Sequence, residues 1–152
     1  QNNVGWGNTL GGIQNNVGCD RTLIQGNTFD MGIAACAQSI KITGASDRVQ
    51  IKNNEFYGDA SASHITGITT LSTRVLIEKN LIVQGVGGDI GAVAGITLLT
   101  GTTGIIRDND IVANLATMTA AIVADTCLWY RNYYNEDIGL TGAQLGAASA
   151  DD

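Results

Sequence analysis

The chain has 152 residues, 44% of them hydrophobic, enough for one domain with a real core and too many for a disordered polymer. A formal charge of −6 with only eight scattered Lys and Arg excludes a basic patch for nucleic acid. No apolar run approaches the ~18 residues of a membrane span, and proline is absent, so strands run without proline breaks.

Residues 1–11 do not share the repeat spacing of residues 12–137 and read as a lead-in cap, with Trp6 as a lid. The first repeat unit carries Ile13, then Ile24 and Phe29 around Asn27. The second carries Ile40, then Ile51 and Phe56 around Asn54, and the third Ile68, then Ile77 and Ile82 around Asn80. The fourth carries Ile96, then Ile106 and Ile111 around Asn109, and the fifth Ile122, then Trp129 and Tyr134 around Asn132. The five asparagines are spaced by 27, 26, 29 and 23 residues. The pattern is apolar-x-apolar-x-x-Asn-x-apolar. Its first half has the period of two expected of a strand with one buried face, and the Asn marks a bend. Residues 113–124 come nearest to a helical stripe, yet they share the phase of the other loops and read as loop then strand. Residues 12–137 form the repeat region, and residues 138–152, rich in Gly and Ala, read as a flexible or partner-ordered tail. The first residue is Gln1, as expected of a processed product or an excised piece.

Three short strands per unit of about 25 residues predict an all-β fold, a right-handed parallel β-helix of about five coils. At each bend an Asn would tolerate positive φ and offer its amide to the copies above and below, a structural ladder of Asn27, Asn54, Asn80, Asn109 and Asn132. Over residues 12–135 the pattern resembles the pectin-lyase-like superfamily, and more weakly the β-helices of phage tailspikes and virion surfaces. That resemblance implies an asparagine stack between the second and third sheets. In the enzymes of that superfamily it implies a groove along the first sheet lined by acids.

The expected outward neighbours on the first sheet are Gly12 and Gln14, Ser39 and Lys41, Gly67 and Thr69, Gly95 and Thr97, Ala121 and Val123. None is a carboxylate, whereas glycoside cleavage needs two and a lyase needs a base. No catalytic residue is assigned, and the chain leans away from an enzyme. Asp59, His64 and Asp89 fall in loops leading to the first sheet. His64, Asp89 and Asp108 are the residues that could touch a sugar, with solvated polar side chains as the plainer reading. Asp108 and Asp110 flank Asn109, with Glu55 at the same bend two coils earlier. Arg48 and Arg74, with Asp47 beside one of them, could grip an anionic sugar or form surface ion pairs. Lys52, Glu78 and Arg107 alternate in sign down one column and favour cross-strand pairing. Beside them Leu23, Gln50, Leu76, Ile105 and Leu128 point outward, and Tyr57, Val83 and Val112 extend the apolar theme on the next sheet. A monomer seldom exposes such a stripe, so a partner is expected there.

The three cysteines (Cys19, Cys36, Cys127) suit neither a disulfide framework nor a zinc site and read as small buried residues. No cofactor or metal is expected. The expectation is a structural or attachment module of a larger assembly in a virion or outside the cell, as a homo-oligomer, with a trimer favoured. The alternative is a carbohydrate-active β-helix acting on an acidic polysaccharide.

Overall fold

The computed structural model describes residues 4–6, 12–15, 20–30, 39–42, 46–58, 63–67, 73–84, 94–98, 101–113, 120–124 and 126–134. All regular structure in these residues is strand. In chain order the strands are β1 (Val4–Trp6), β2 (Ile13–Asn15), β3 (Leu23–Gln25), β4 (Thr28–Asp30), β5 (Ile40–Ile42), β6 (Gln50–Lys52), β7 (Glu55–Tyr57) and β8 (Ser63–Gly67). They continue as β9 (Val75–Glu78), β10 (Leu81–Gln84), β11 (Ala94–Leu98), β12 (Gly104–Arg107), β13 (Asp110–Ala113), β14 (Ala120–Ala124), β15 (Cys127–Tyr130) and β16 (Tyr133–Tyr134).

Every third strand pairs, and every pairing is parallel. The first sheet runs β2-β5-β8-β11-β14, the second β3-β6-β9-β12-β15, and the third β1-β4-β7-β10-β13-β16. The fold is a parallel β-helix, each coil giving one strand to each sheet. The lead-in contributes β1, which pairs with β4, so the third sheet starts one strand earlier than the repeat spacing predicts. The expected Trp6 lid and the tail of residues 138–152 lie outside the described side chains and residues.

Three inward columns form the core. Ile24, Ile51, Ile77, Ile106 and Trp129 line the second sheet, and Phe29, Phe56, Ile82 and Ile111 the third, all buried. Phe29 and Phe56 stack with centroids 5.0 Å apart and rings nearly parallel, one consequence of strict register. On the first sheet the column is Ile13, Ile40, Ile65, Ile96 and Ile122. This corrects the expected Ile68, which lies outside the described residues. Ile68 stands 12 residues before Asn80, within the 10 to 14 of the other coils, whereas Ile65 stands 15 before it, and the slip follows from that wider interval. Register decides for Ile65, because that places Gly67 opposite Leu98. A Cβ on Gly67 would stand 2.8 Å from Leu98 Cδ2, so the larger side chain fills that space from the next coil.

The residue before four of these isoleucines is also buried. Ser39, His64, Gly95 and Ala121 are buried, against the outward orientation predicted for Ser39, Gly95 and Ala121. A Cβ on Gly12 would stand 2.6 Å from the Phe29 ring. These positions sit at the entry to the strand, where the chain is still rounding the corner from the third sheet. Strict alternation fails there.

The asparagine ladder is present along its whole predicted length. The Nδ2 of each Asn donates to Oδ1 of the next, at 2.8–3.0 Å, from Asn27 through Asn54, Asn80 and Asn109 to Asn132. The main-chain N–H of the same residue donates to the same oxygen. The second Nδ2 proton goes to the carbonyl of Ile24, Ile51, Ile77 or Ile106 in the preceding coil, at 3.0–3.1 Å. Asn54, Asn80 and Asn109 thereby use both donors and both acceptor lone pairs of their amides.

Positive φ, however, belongs to the preceding residue. Gly26, Asn53, Lys79, Asp108 and Arg131 have φ of 66°, 52°, 55°, 55° and 51°. The left-handed residue turns the chain with its side chain outside, and the Asn is then free to point in. For a non-glycine residue that conformation costs about 1–2 kcal/mol, which the ladder must offset.

Two outcomes test this account. Asn80→Asp removes two donors and buries a carboxylate. Its folded-state pKa is then raised, so stability is retained at low pH and lost as pH rises through that value. Urea unfolding should show a loss of roughly 3 kcal/mol or more at neutral pH that shrinks on acidification. Gly104→Ala should cost about 3 kcal/mol in the same assay, since its Cβ would stand 2.0 Å from the Val75 carbonyl oxygen.

Candidate functional site

The second sheet presents the candidate surface. Its two flanking corners are both built on left-handed residues, and both carry charge. Between them lies the column Leu23, Gln50, Leu76, Ile105 and Leu128, in register from β3 to β15. Leu23 is 55% exposed and Leu128 42%, whereas Leu76 and Ile105 are half-buried by their neighbours above and below. The predicted apolar stripe therefore exists as a register, with its free surface concentrated at the two ends. On the third sheet Tyr57, Val83 and Val112 align in successive coils and are half-buried, while Tyr133 at the far end is 68% exposed.

Beside the apolar column, Lys52, Glu78, Arg107 and Tyr130 share a register. Arg107 is the residue that closes on Glu78, with Nη2–Oε2 2.7 Å and Nε donating to Oε2 at 2.9 Å. It also donates to the Tyr130 hydroxyl at 3.3 Å. Both contacts hold the guanidinium charge and push its pKa up, the Glu78 hydrogen bond most of all. Lys52 makes no ion pair among the described residues. The alternating column thus closes at one junction of the two expected. At the ladder corner Asp108, itself left-handed, accepts two hydrogen bonds from Arg131, at 2.8 and 3.0 Å. Asp108 is therefore an ion-pair partner.

The opposite corner, between the first and second sheets, holds Arg21, Arg48 and Arg74. Each is left-handed, with φ of 58°, 58° and 55°. Main-chain bonds from Arg21 N to Asp47 O (2.7 Å) and from Arg48 N to Thr73 O (3.0 Å) stack them coil on coil. Arg74 reaches back to Asp47 with both Nε and Nη2, and Thr73 Oγ1 donates to the same carboxylate at 3.0 Å. Arg48 Nε lies 3.5 Å from Asp47 Oδ2, a charge contact beyond ordinary hydrogen-bond length. Sequence reasoning found Arg48 and Arg74 but missed Arg21, whose signal was its place six residues before Asn27. Arg21, Leu23, Arg48 and Gln50 line a shallow depression of about 440 Å³.

His64 is a correction. It stands on β8, fully buried, and not in a solvated loop. Its Nε2 lies 3.1 Å from the Gly58 carbonyl, which can only accept, so that nitrogen carries the proton. Nδ1 then accepts from Ser39 Oγ at 2.9 Å. The ring sits 5.8 Å from Phe56 and is a packing element, unavailable to a sugar. Asp59 and Asp89 lie outside the described residues, as do Cys19 and Cys36. Cys127 is a free thiol, fully buried, with Sγ 3.3 Å from Thr102 O, and burial pushes its pKa up to about 11. One buried donor, Trp129 Nε1 in the last coil, has no hydrogen-bond partner among the described residues. Among the described residues no group of three or more His, Cys, Asp or Glu could hold a metal, and no helix is long and apolar enough to cross a membrane.

The Asp47 carboxyl titrates below its ordinary 3.8, chiefly through the hydrogen bond from Arg74, with burial opposing. Its depressed folded value means that the stabilisation is present above 3.8 and is lost as pH falls through the folded value. An NMR titration of the carboxyl carbon should place the midpoint below 3.8 and return it toward that value in Arg74→Gln. No protein-family model, no curated protein and no solved structure matches this chain, so its own geometry carries the functional reading.

Proposed function

We propose that this chain is a non-enzymatic structural or attachment module that works as part of a larger assembly, joined through the outer face of its second sheet. The observation that carries the reading is the register-locked apolar column, with Leu23 and Leu128 exposed at its ends. A rigid row of outward aliphatic side chains spaced at ~4.8 Å is a ready surface for a second such row. Three acids beside this face are held in ion pairs: Asp47 with Arg74, Glu78 with Arg107 and Asp108 with Arg131. That favours the structural reading over polysaccharide cleavage. The ladder at the bend between second and third sheets supports placing the chain in the pectin-lyase-like superfamily. A virion or extracellular setting, and assembly as a trimer, are proposed by analogy of architecture with phage β-helices.

Native mass by light scattering tests the reading, alongside the variants Leu23→Lys and Leu128→Lys. Both side chains are exposed, so folding should survive. The expected result is an oligomer for the parent chain and a shift to monomer in the double variant. A monomeric parent, or an oligomer indifferent to both lysines, would sink the proposed interface. Cleavage of an acidic polysaccharide by the parent would overturn the non-enzymatic assignment.

A further inference from the structure

The arginine corner holds a feature that the apolar column does not explain. Arg74 takes the carboxylate of the coil before it, Asp47. Asp47 already accepts two hydrogen bonds from Arg74 and one from Thr73, and Arg48 makes only a 3.5 Å charge contact with it. Asp20 accepts from the main-chain N–H of Asp47 at 2.8 Å, an oxygen turned to the backbone. Arg21 heads the column and has no side-chain bond or ion pair among the described residues. Arg21 and Arg48 therefore stand in successive coils, both exposed and lining the same depression, with neither guanidinium held by a carboxylate hydrogen bond. Side by side they repel. Gln50 adds an amide and Leu23 an exposed apolar wall, and the four residues enclose the depression.

We infer that Arg21, Arg48 and Gln50 form a site for one oxyanionic group, a carboxylate or a sulfate, on a small ligand whose body rests on Leu23. The chemistry follows from the donors. Each guanidinium offers a planar fork that matches two oxygens of such a group, and bridging the forks replaces repulsion by two charge-assisted contacts. The chain carries −6 overall, so its long-range field repels anions. Binding here is short-range and weakens with salt. The inference goes beyond the structural module: it shares Leu23 and Gln50 with the apolar column, but the two arginines that carry it lie outside that column, so substituting them leaves the column intact.

The test is a titration of the isotope-labelled 152-residue chain, reading the Arg Nε–Hε resonances at constant ionic strength. One arm uses sodium sulfate and the other sodium acetate. Saturable shifts at Arg21 and Arg48 in either arm support the site, and the stronger arm names the anion. Arg131, already held by Asp108, should not move. Arg21→Gln should weaken binding about tenfold or more, and Arg48→Lys should weaken it less, keeping charge but losing the fork. Native mass should match the parent in both variants. Shifts that never saturate, that appear equally at Arg131, or that persist undiminished at Arg48 in Arg21→Gln would overturn the site.

Discussion

A primary amide in a dry interior has two donor protons and two acceptor lone pairs, and each unmet group costs about 1–3 kcal/mol. Asn54, Asn80 and Asn109 meet all four by bonding to the coils on either side. That demand fixes the coils against one another. A slip of one residue would break the amide chain, turn Ile51 and Ile77 outward and turn Leu76 inward. Register, burial and face identity follow from this one requirement. The Phe29–Phe56 stack and the aligned outer columns are its consequences.

The requirement is local, and so is its reach. Around each Asn an eight-residue cassette keeps its length: two inward positions, the left-handed residue, the Asn and the inward residue of the third sheet. Outside the cassette the coils differ, with Asn spacing from 23 to 29 residues, and the difference falls on the segments leading to and from the first sheet. The first sheet has its own devices, such as Gly67 making room for Leu98 and His64 bonded between Ser39 and Gly58.

Both corners beside the second sheet use left-handed residues, and this decides where charge goes. A left-handed residue at a corner points its side chain to solvent, so lysine, arginine and aspartate are admissible despite the strain. Arg131 and Asp108 meet at one corner, and Arg74 and Asp47 at the other. The sheet between them is left apolar in its middle column. Charged rails flanking an aliphatic row define the face on which both the assembly interface and the oxyanion site are proposed.

Everything carried by a short, constant interval was legible in the order of the residues alone. The fold class, the five ladder asparagines, the inward columns of the second and third sheets and the outward row from Leu23 to Leu128 lie within a few residues of an Asn. At that range strand alternation admits a single answer. Whatever depends on variable intervals, or on neighbours in the next coil, needed the folded molecule. Stacking chose Ile65 over Ile68, moved positive φ from the asparagines to the residues before them, and buried His64. It also gave Asp47 to Arg74 and left Arg21 and Arg48 without a carboxylate hydrogen bond. Those outcomes turn on which atoms of adjacent coils lie within bonding distance, and stacking sets that across gaps of 23 to 29 residues, whose length varies from coil to coil.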